Sequence, residues 1–395
     1  MSDGPPRMLW ASAHSVLPDG AAAATEAAGV LRESLGEGPV DLCLAFFSAS
    51  HVPAAAAIAA GVKAALSPGC FAATSARGVV TAGHELEQGS ALSLVAARLP
   101  GVEVLPFLLH PETWAAPMEV ESEFDLAAPG ARGAELVVFL GDPFSIDVER
   151  VLTLFNRFAP GVRIVGGMAS AGARPGTNAV ALNDWLASEG AIAVALHGAL
   201  RVDVVVSQGC APLGPPLAVT GVDGHVLLTL DGVPALERVE KVLREVPEAE
   251  RDRLRQGLYV GRPVRGDGEG RGDYLIRNLL GADRERGALA VGDRIGPRER
   301  IRLHVRDARA AIEDLELLLS PQAFDTPAAG ALVFACNGRG RTLFGEPDRD
   351  IATLQDALGT PVPAAGMFCA GEIGPVGERN FLHGHTASIA IVRPR

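Results

Sequence analysis

Apolar residues fall in strand-length blocks separated by helical stripes, and the order recurs three times. In the first round, 40–47 (VDLCLAFF) is a strand-length run that stops at Ser48-Ala49-Ser50-His51. Strong helix formers then predict a helix over 54–66, with Pro53 at its first position and Pro68-Gly69 ending it. The runs 70–73 and 91–96 read as strands. A short strand at 9–11 and an Ala-rich helix from Gly20 to about Leu35 precede this round. In the second round, 136–140 breaks at Gly141-Asp142-Pro143, and Val148, Val151, Leu152, Phe155 and Phe158 repeat at helical spacing. Strands at 162–168 and 191–196 complete it. In the third, the strand 331–335 releases Cys336-Asn337-Gly338-Arg339-Gly340. Asp350 is placed as a helix N-cap, Ile351, Leu354 and Leu358 form the stripe, Gly359 is the stop, and strands follow at 362–368 and 387–392.

The region between the second and third rounds has another texture. Residues 218–230, centred on Gly224, read as a β-hairpin; a helix is expected over 235–244, strands at 273–280 and 301–305, and an amphipathic helix over 307–319. The segment 262–272 reads as a mobile surface loop. The pattern implies a mixed-sheet, layered α/β fold with repeated strand–helix–strand–strand units, in two domains, 9–200 and 201–395.

Charge and cysteine usage narrow the function. A formal net charge of −12 over 395 residues argues against a nucleic-acid partner. The N-terminus lacks a basic segment followed by an apolar core, and Lys63 interrupts the Ala-rich run from Val52, so neither a secretory leader nor membrane insertion is expected. Five scattered cysteines without CxxC spacing read as free thiols in a reducing compartment, and a cytoplasmic location follows.

Glycine, arginine, cysteine, glutamate and histidine concentrate at the strand ends of the third round. Cys336, Asn337, Gly338, Arg339 and Gly340 form a cradle for an anionic or carboxylate-bearing ligand, or a tight turn whose arginine bonds a nearby carboxylate such as Glu372. Gly371, Glu372, Asn380, His383 and Thr386 form a second cluster: either a site for a ligand amine or a hairpin satisfying itself. Rounds one and two carry Ser48, His51, Asp142 and Ser145 at the corresponding places. His383-x-His385 matches no zinc spacing, and no GxSxG is present.

The segments 207–237 (SQGCAPLGPPLAVTGVDGHVLLTLDGVPALE), 274–281 (YLIRNLLG), 303–308 (LHVRDA), 334–340 (FACNGRG) and 365–391 resemble, as an ordered set, the FIST family, an N-terminal FIST domain followed by a C-terminal one. In the first half FFSASH and PGCFAATSARGVV carry the likeness. The resemblance implies a bacterial, non-catalytic sensory protein with a small-molecule ligand, an amino acid or other small carboxylate, and with signal passed to a separate output protein. It leaves two alternatives: a haem-based nitric-oxide sensor, with His51, His84, His197 or His383 as axial candidates, and an interaction scaffold without a small ligand. No cofactor is otherwise expected.

Overall fold

A computed structural model describes residues 7–248, 251, 253–254, 257–264 and 274–395. Most of the expected loop at 262–272, and Asp273 of the expected strand, lie outside these residues. The chain forms two compact units: one of residues up to Val206 with Glu316–Leu382 and Thr386–Arg395, the other of Ser207–Leu315 with His383–His385.

The first unit is built from the three rounds, and each gives the same core. Round one comprises β1 (Leu9–Ser15), α1 (Gly20–Leu35), β2 (Leu42–Ser48), α2 (Ala55–Leu66), β3 (Cys70–Ala76), the hairpin β4 (Val79–Thr81) and β5 (Glu85–Leu86), and β6 (Leu92–Arg98). Round two comprises β7 (Val102–Leu109), α3 (Pro111–Ala115), α4 (Glu121–Ala127), β8 (Leu136–Gly141), α5 (Val148–Phe158), β9 (Ile164–Met168), the hairpin β10 (Val180–Leu182) and β11 (Trp185–Ala187), and β12 (Ala191–Gly198). Round three begins with β13 (Leu200–Gln208), is interrupted by the second unit, and resumes further along the chain.

The second unit contributes β14 (Cys210–Asp223), β15 (Val226–Leu230), β16 (Val233–Pro234), α6 (Ala235–Glu245), β17 (Leu258–Pro263), β18 (Tyr274–Asp283), β19 (Ala288–Val291) and β20 (Arg300–Arg306). Its strands run β14-β20-β17-β18-β19-β15, and β15 pairs back onto β14, so the antiparallel sheet closes into a barrel. Closure leaves the ring without an open edge. Leu213, Val219, Val260, Val291, Leu303 and Val305 pack with Val239 and Val242 of α6 in one apolar cluster. The expected hairpin about Gly224 is the β14–β15 pair, with Val219 opposite Leu230.

After α7 (Ala308–Leu319), round three continues with β21 (Gly330–Cys336), α8 (Arg341–Phe344), α9 (Arg349–Leu358), β22 (Ala364–Cys369), the hairpin β23 (Glu372–Val376) and β24 (Arg379–His383), and β25 (Thr386–Pro394). In every round the first strand pairs parallel with the second (β2–β3, β8–β9, β21–β22) and antiparallel with the closing strand (β6, β12, β25). Each hairpin then extends a different round's sheet: β10–β11 joins β3, β23–β24 joins β9, and β4–β5 joins β22. This exchange is cyclic and binds three sheets into one body.

Alternation along the strands sorts their side chains. Leu42, Leu44 and Phe46, Leu136, Val138 and Leu140, and Leu332 and Phe334 all belong to one shared central core. The intervening Cys43, Ala45 and Phe47 pack under α1 and α2, and Val137 and Phe139 under α3 to α5. Helices therefore cover the outside and the sheets meet inside. The run Ala49–Leu66 is long and apolar enough by composition to cross a membrane; here it puts Ile58, Ala59, Val62 and Leu66 against α1 and the sheet.

Two local expectations are corrected. Pro53 does not open α2: it lies inside a 3-10 turn, Ala49–Ala54, and α2 begins at Ala55. Asp350 does not cap α9; Asp348 precedes the helix in a left-handed conformation, and Asp350 turns inward. The Gly359 stop is observed, at φ 70°.

Candidate functional site

The register defines which residues correspond. Phe47, Gly141 and Ala335 occupy one position, opposite Leu92, Ala191 and Ala387 on the closing strands and Ser75, Met168 and Phe368 on the second strands. The next residues, Ser48, Asp142 and Cys336, are therefore equivalent, and so are His51, Ser145 and Arg339 three residues further on. The carboxyl ends of the second strands meet: Ser170 donates its N–H to Ser75 O (3.2 Å), Phe368 to Gly78 O (3.0 Å), Met168 to Gly371 O (2.9 Å) and Ala370 to Met168 O (3.0 Å). All three equivalent residues consequently sit at one end of the central core. Ligands of parallel sheets favour that end.

Rounds one and two use most of their polar groups locally. Asp142 accepts from Ser145 Oγ (2.7 Å), Phe144 N (3.1 Å) and Asn178 Nδ2 (2.9 Å). Ser48 Oγ accepts from Ala91 N (2.9 Å) and lies 3.1 Å from Ser50 Oγ. His51 is the exception: it is wholly buried, and neither ring nitrogen has a partner.

Round three is different. Arg339 is 1% exposed and grips Asp350 with both arms of its fork, Nε to Oδ2 at 2.7 Å and Nη2 to Oδ1 at 2.6 Å. The arginine's carboxylate partner is thus Asp350, not Glu372. Its remaining nitrogen, Nη1, is buried without a partner. Asp350 adjoins Glu85, which accepts from the N–H groups of Asp348 (3.0 Å), Asp350 (2.9 Å) and Ile351 (3.1 Å) at the start of α9. Helix N-termini favour such a carboxylate, yet burial and the charge of Asp350 push Glu85 up.

Cys336, Asn337 and Gly338 form the half-buried mouth of the loop. Asn337 N–H bonds Cys369 O at 3.0 Å while its Oδ1 is buried without a partner, and Gly338 N–H points at Cys336 Sγ (3.5 Å). Glu372 is fully buried: Oε2 accepts from Thr386 Oγ1 (2.8 Å) and N (3.2 Å), the Cys336 thiol interacts with the carboxyl, and Oε1 has no nitrogen or oxygen donor. Burial raises Glu372 to about 8, so it holds its proton at neutral pH.

The sign of the resulting pH effect follows. Between pH 4.5, the ordinary value, and about 8, the unfolded chain releases a proton that the native state keeps. Stability is therefore full below the ordinary value and falls as pH rises through this window. Glu372→Gln is expected to flatten the fall by on the order of a few kcal/mol between pH 5 and 8, read from urea midpoints. An identical slope in the variant would place the titration elsewhere.

The structure brings together Cys336 to Gly340, Gly371, Glu372 and Thr386. It does not bring Asn380 there. The Asn380 side chain bonds Ile164 N (2.8 Å) and Val162 O (2.8 Å), at the amino end of β9, where it ties the hairpin down. His383 falls in the other unit and is 3% exposed. Sequence reasoning missed Glu85 and Asn178, since neither lies in a glycine motif; only strand exchange brings them to these ends. Three surface hollows of about 190, 410 and 310 Å³, lined around Val242, Leu126 and Gln355, include none of the clustered residues.

Haem needs an axial side chain facing an apolar cleft. His51, His84, His197 and His383 line none of these three hollows, and His197 Nε2 is engaged with Gly130 O at 2.5 Å. Among the described residues no group of three or more His, Cys, Asp or Glu side chains gathers as for a metal.

Family models match over most of the chain: the FIST N domain over 41–233 and the FIST C domain over 235–375. The chain belongs to the FIST family. FIST domains are sensory, signal-transduction modules. An uncharacterized protein of Mycobacterium tuberculosis is 38% identical over 383 residues, covering 95% of this chain and 97% of that one. An uncharacterized protein of Mycobacterium bovis is 36% identical over 380 residues, covering 95% and 96%. Among solved structures, cyanuric acid hydrolase from A. caulinodans aligns with TM-score 0.35 and 11% identity, over 98% of this chain and 100% of that one. T. maritima PurL complexed with ATP gives 0.22 and 10%, over 98% and 71%.

Proposed function

We propose that this FIST protein is a cytoplasmic, non-catalytic sensor that binds an amino acid or other small carboxylate at the Cys336–Gly340 loop and Glu372, and signals through a separate output protein. One observation carries the reading. The third strand end holds a buried acceptor without a donor, Asn337 Oδ1, and a buried donor without an acceptor, Arg339 Nη1, beside the buried Glu372 carboxyl. An unpaired buried polar group costs about 1–3 kcal/mol, so a bound partner for each is favoured. The Asn337 amide oxygen suits an ammonium, and the guanidinium arm suits a carboxylate. Rounds one and two share the frame, and Asp142 in the second is fully engaged within the protein.

The test is thermal unfolding across a panel of amino acids and small carboxylates. At least one is expected to raise Tm, as any ligand specific to the native state does. Asn337→Ala should abolish the rise, and Glu372→Ala should weaken the apparent Kd by about tenfold or more, the loss of one hydrogen bond to a charged ligand group. A rise that survives both substitutions would move the site elsewhere.

A further inference from the structure

We propose that Cys336 and Cys369 form a hydroperoxide-responsive dithiol switch, in which Cys336 is oxidised first and Cys369 resolves it to a disulfide. The two residues stand directly opposite each other across the parallel pair β21–β22. Neighbouring strands lie about 4.8 Å apart, within the roughly 4.4–6.8 Å between Cα atoms that a disulfide spans, and residues in register face the same side of the sheet. The inference stands on this thiol geometry and does not depend on the ligand reading above.

The pair is asymmetric in the way a sensor and its resolving thiol must be. Cys336 is half-buried at the loop mouth, where a small oxidant can reach it, whereas Cys369 is wholly buried. Gly338 N–H points at Cys336 Sγ, and the Arg339 guanidinium and the Glu372 carboxyl both interact with that thiol. The remaining thiols offer no such arrangement. Cys43 lies opposite Phe71 and Cys70 opposite Leu42, one register step apart, so Cys43 faces the helices and Cys70 the central core.

The Cys336 thiol bonds the Glu372 carboxyl, which supplies the path for its proton. In the first step the Cys336 sulfur attacks the terminal oxygen of a hydroperoxide. An S–O bond forms, the O–O bond breaks, and the thiol proton passes through the Glu372 carboxyl to the departing oxygen, which leaves as an alcohol or as water. In the second step the Cys369 sulfur attacks Cys336–SOH. The S–S bond forms, the S–O bond breaks, and the Cys369 proton goes to the departing hydroxide, giving water. One hydroperoxide is reduced for each dithiol oxidised.

The full chain, treated with hydrogen peroxide, is expected to lose two mass units and to yield one disulfide-linked peptide joining residues 336 and 369. Cys369→Ser should instead accumulate a sulfenic acid at Cys336 that a 1,3-dicarbonyl reagent traps, and Cys336→Ser should give neither product. Glu372→Gln should slow disulfide formation at pH 7 by about tenfold or more. Intact thiols at both positions under peroxide that oxidises glutathione, or a disulfide through Cys43, Cys70 or Cys210, overturns the switch. An unchanged rate in Glu372→Gln overturns the proton path. Peptide mapping of the unmodified chain decides the central claim even where a variant fails to fold.

Discussion

Gly366→Ala is expected to destabilise the first unit by at least about 3 kcal/mol, the upper end of what overpacking costs. A β-carbon on Gly366 would stand 1.7 Å from Val333 O, and one on Gly166 would stand 1.8 Å from Phe139 O. Both obstacles are backbone carbonyls of the neighbouring parallel strand, so no side chain can swing aside. The two glycines occupy one register position in rounds three and two, opposite Val333 and Phe139. Round one has Ala73 there, opposite Ala45, and takes the methyl group without strand distortion. Ala73→Gly should therefore cost only about 0.5–1 kcal/mol of backbone entropy. Urea midpoints of Gly366→Ala, Gly166→Ala and Ala73→Gly make the comparison. A Gly366→Ala protein within about 1 kcal/mol of the parent would mean that the strands do not approach as described.

The three rounds were readable because each sheet is covered on both faces. Unbroken runs such as 40–47 and 136–140 are what such burial requires, and the stripes of α5 and α9 lie between them. Two of the three exchanged hairpins were not readable. β4, β5, β10 and β11 are two or three residues long, too short to show a period, and their partners belong to other rounds. The barrel's closure was equally hidden, because the β14–β15 hairpin shows in the sequence as a local pair while ring closure depends on β17 to β20.

At the site, the glycine-rich strand ends announced Cys336, Gly338 and Glu372, and the register joins them to Thr386. Asn380 was drawn in by nearness in sequence, but β23 and β24 carry it down the length of β9 to the opposite end. Asp350 was misread for a physical reason. An aspartate before a helical stripe has the look of an N-cap, and only the buried guanidinium eleven residues earlier gives it another task.

That guanidinium carries the other large effect. Arg339→Ala is expected to cost about 3–5 kcal/mol, because it leaves the Asp350 carboxylate buried and uncompensated, and Asp350→Ala should cost as much from the other side. Lysine cannot replace the two-armed grip, so Arg339→Lys should recover little. Arg339→Met with Asp350→Leu removes both charges together and should return much of the loss, since apolar replacement of a buried pair is often neutral. The outcome separates two roles for the loop. If Arg339 acts on a ligand mainly through Nη1, the double variant folds near parental stability yet shows no ligand-induced rise in Tm. If the arginine only locks α9 against β21, the double variant keeps that rise. Near-parental stability in the single Arg339→Ala variant would sink the buried ion pair itself, and with it the reason this loop holds its shape around the half-buried Cys336.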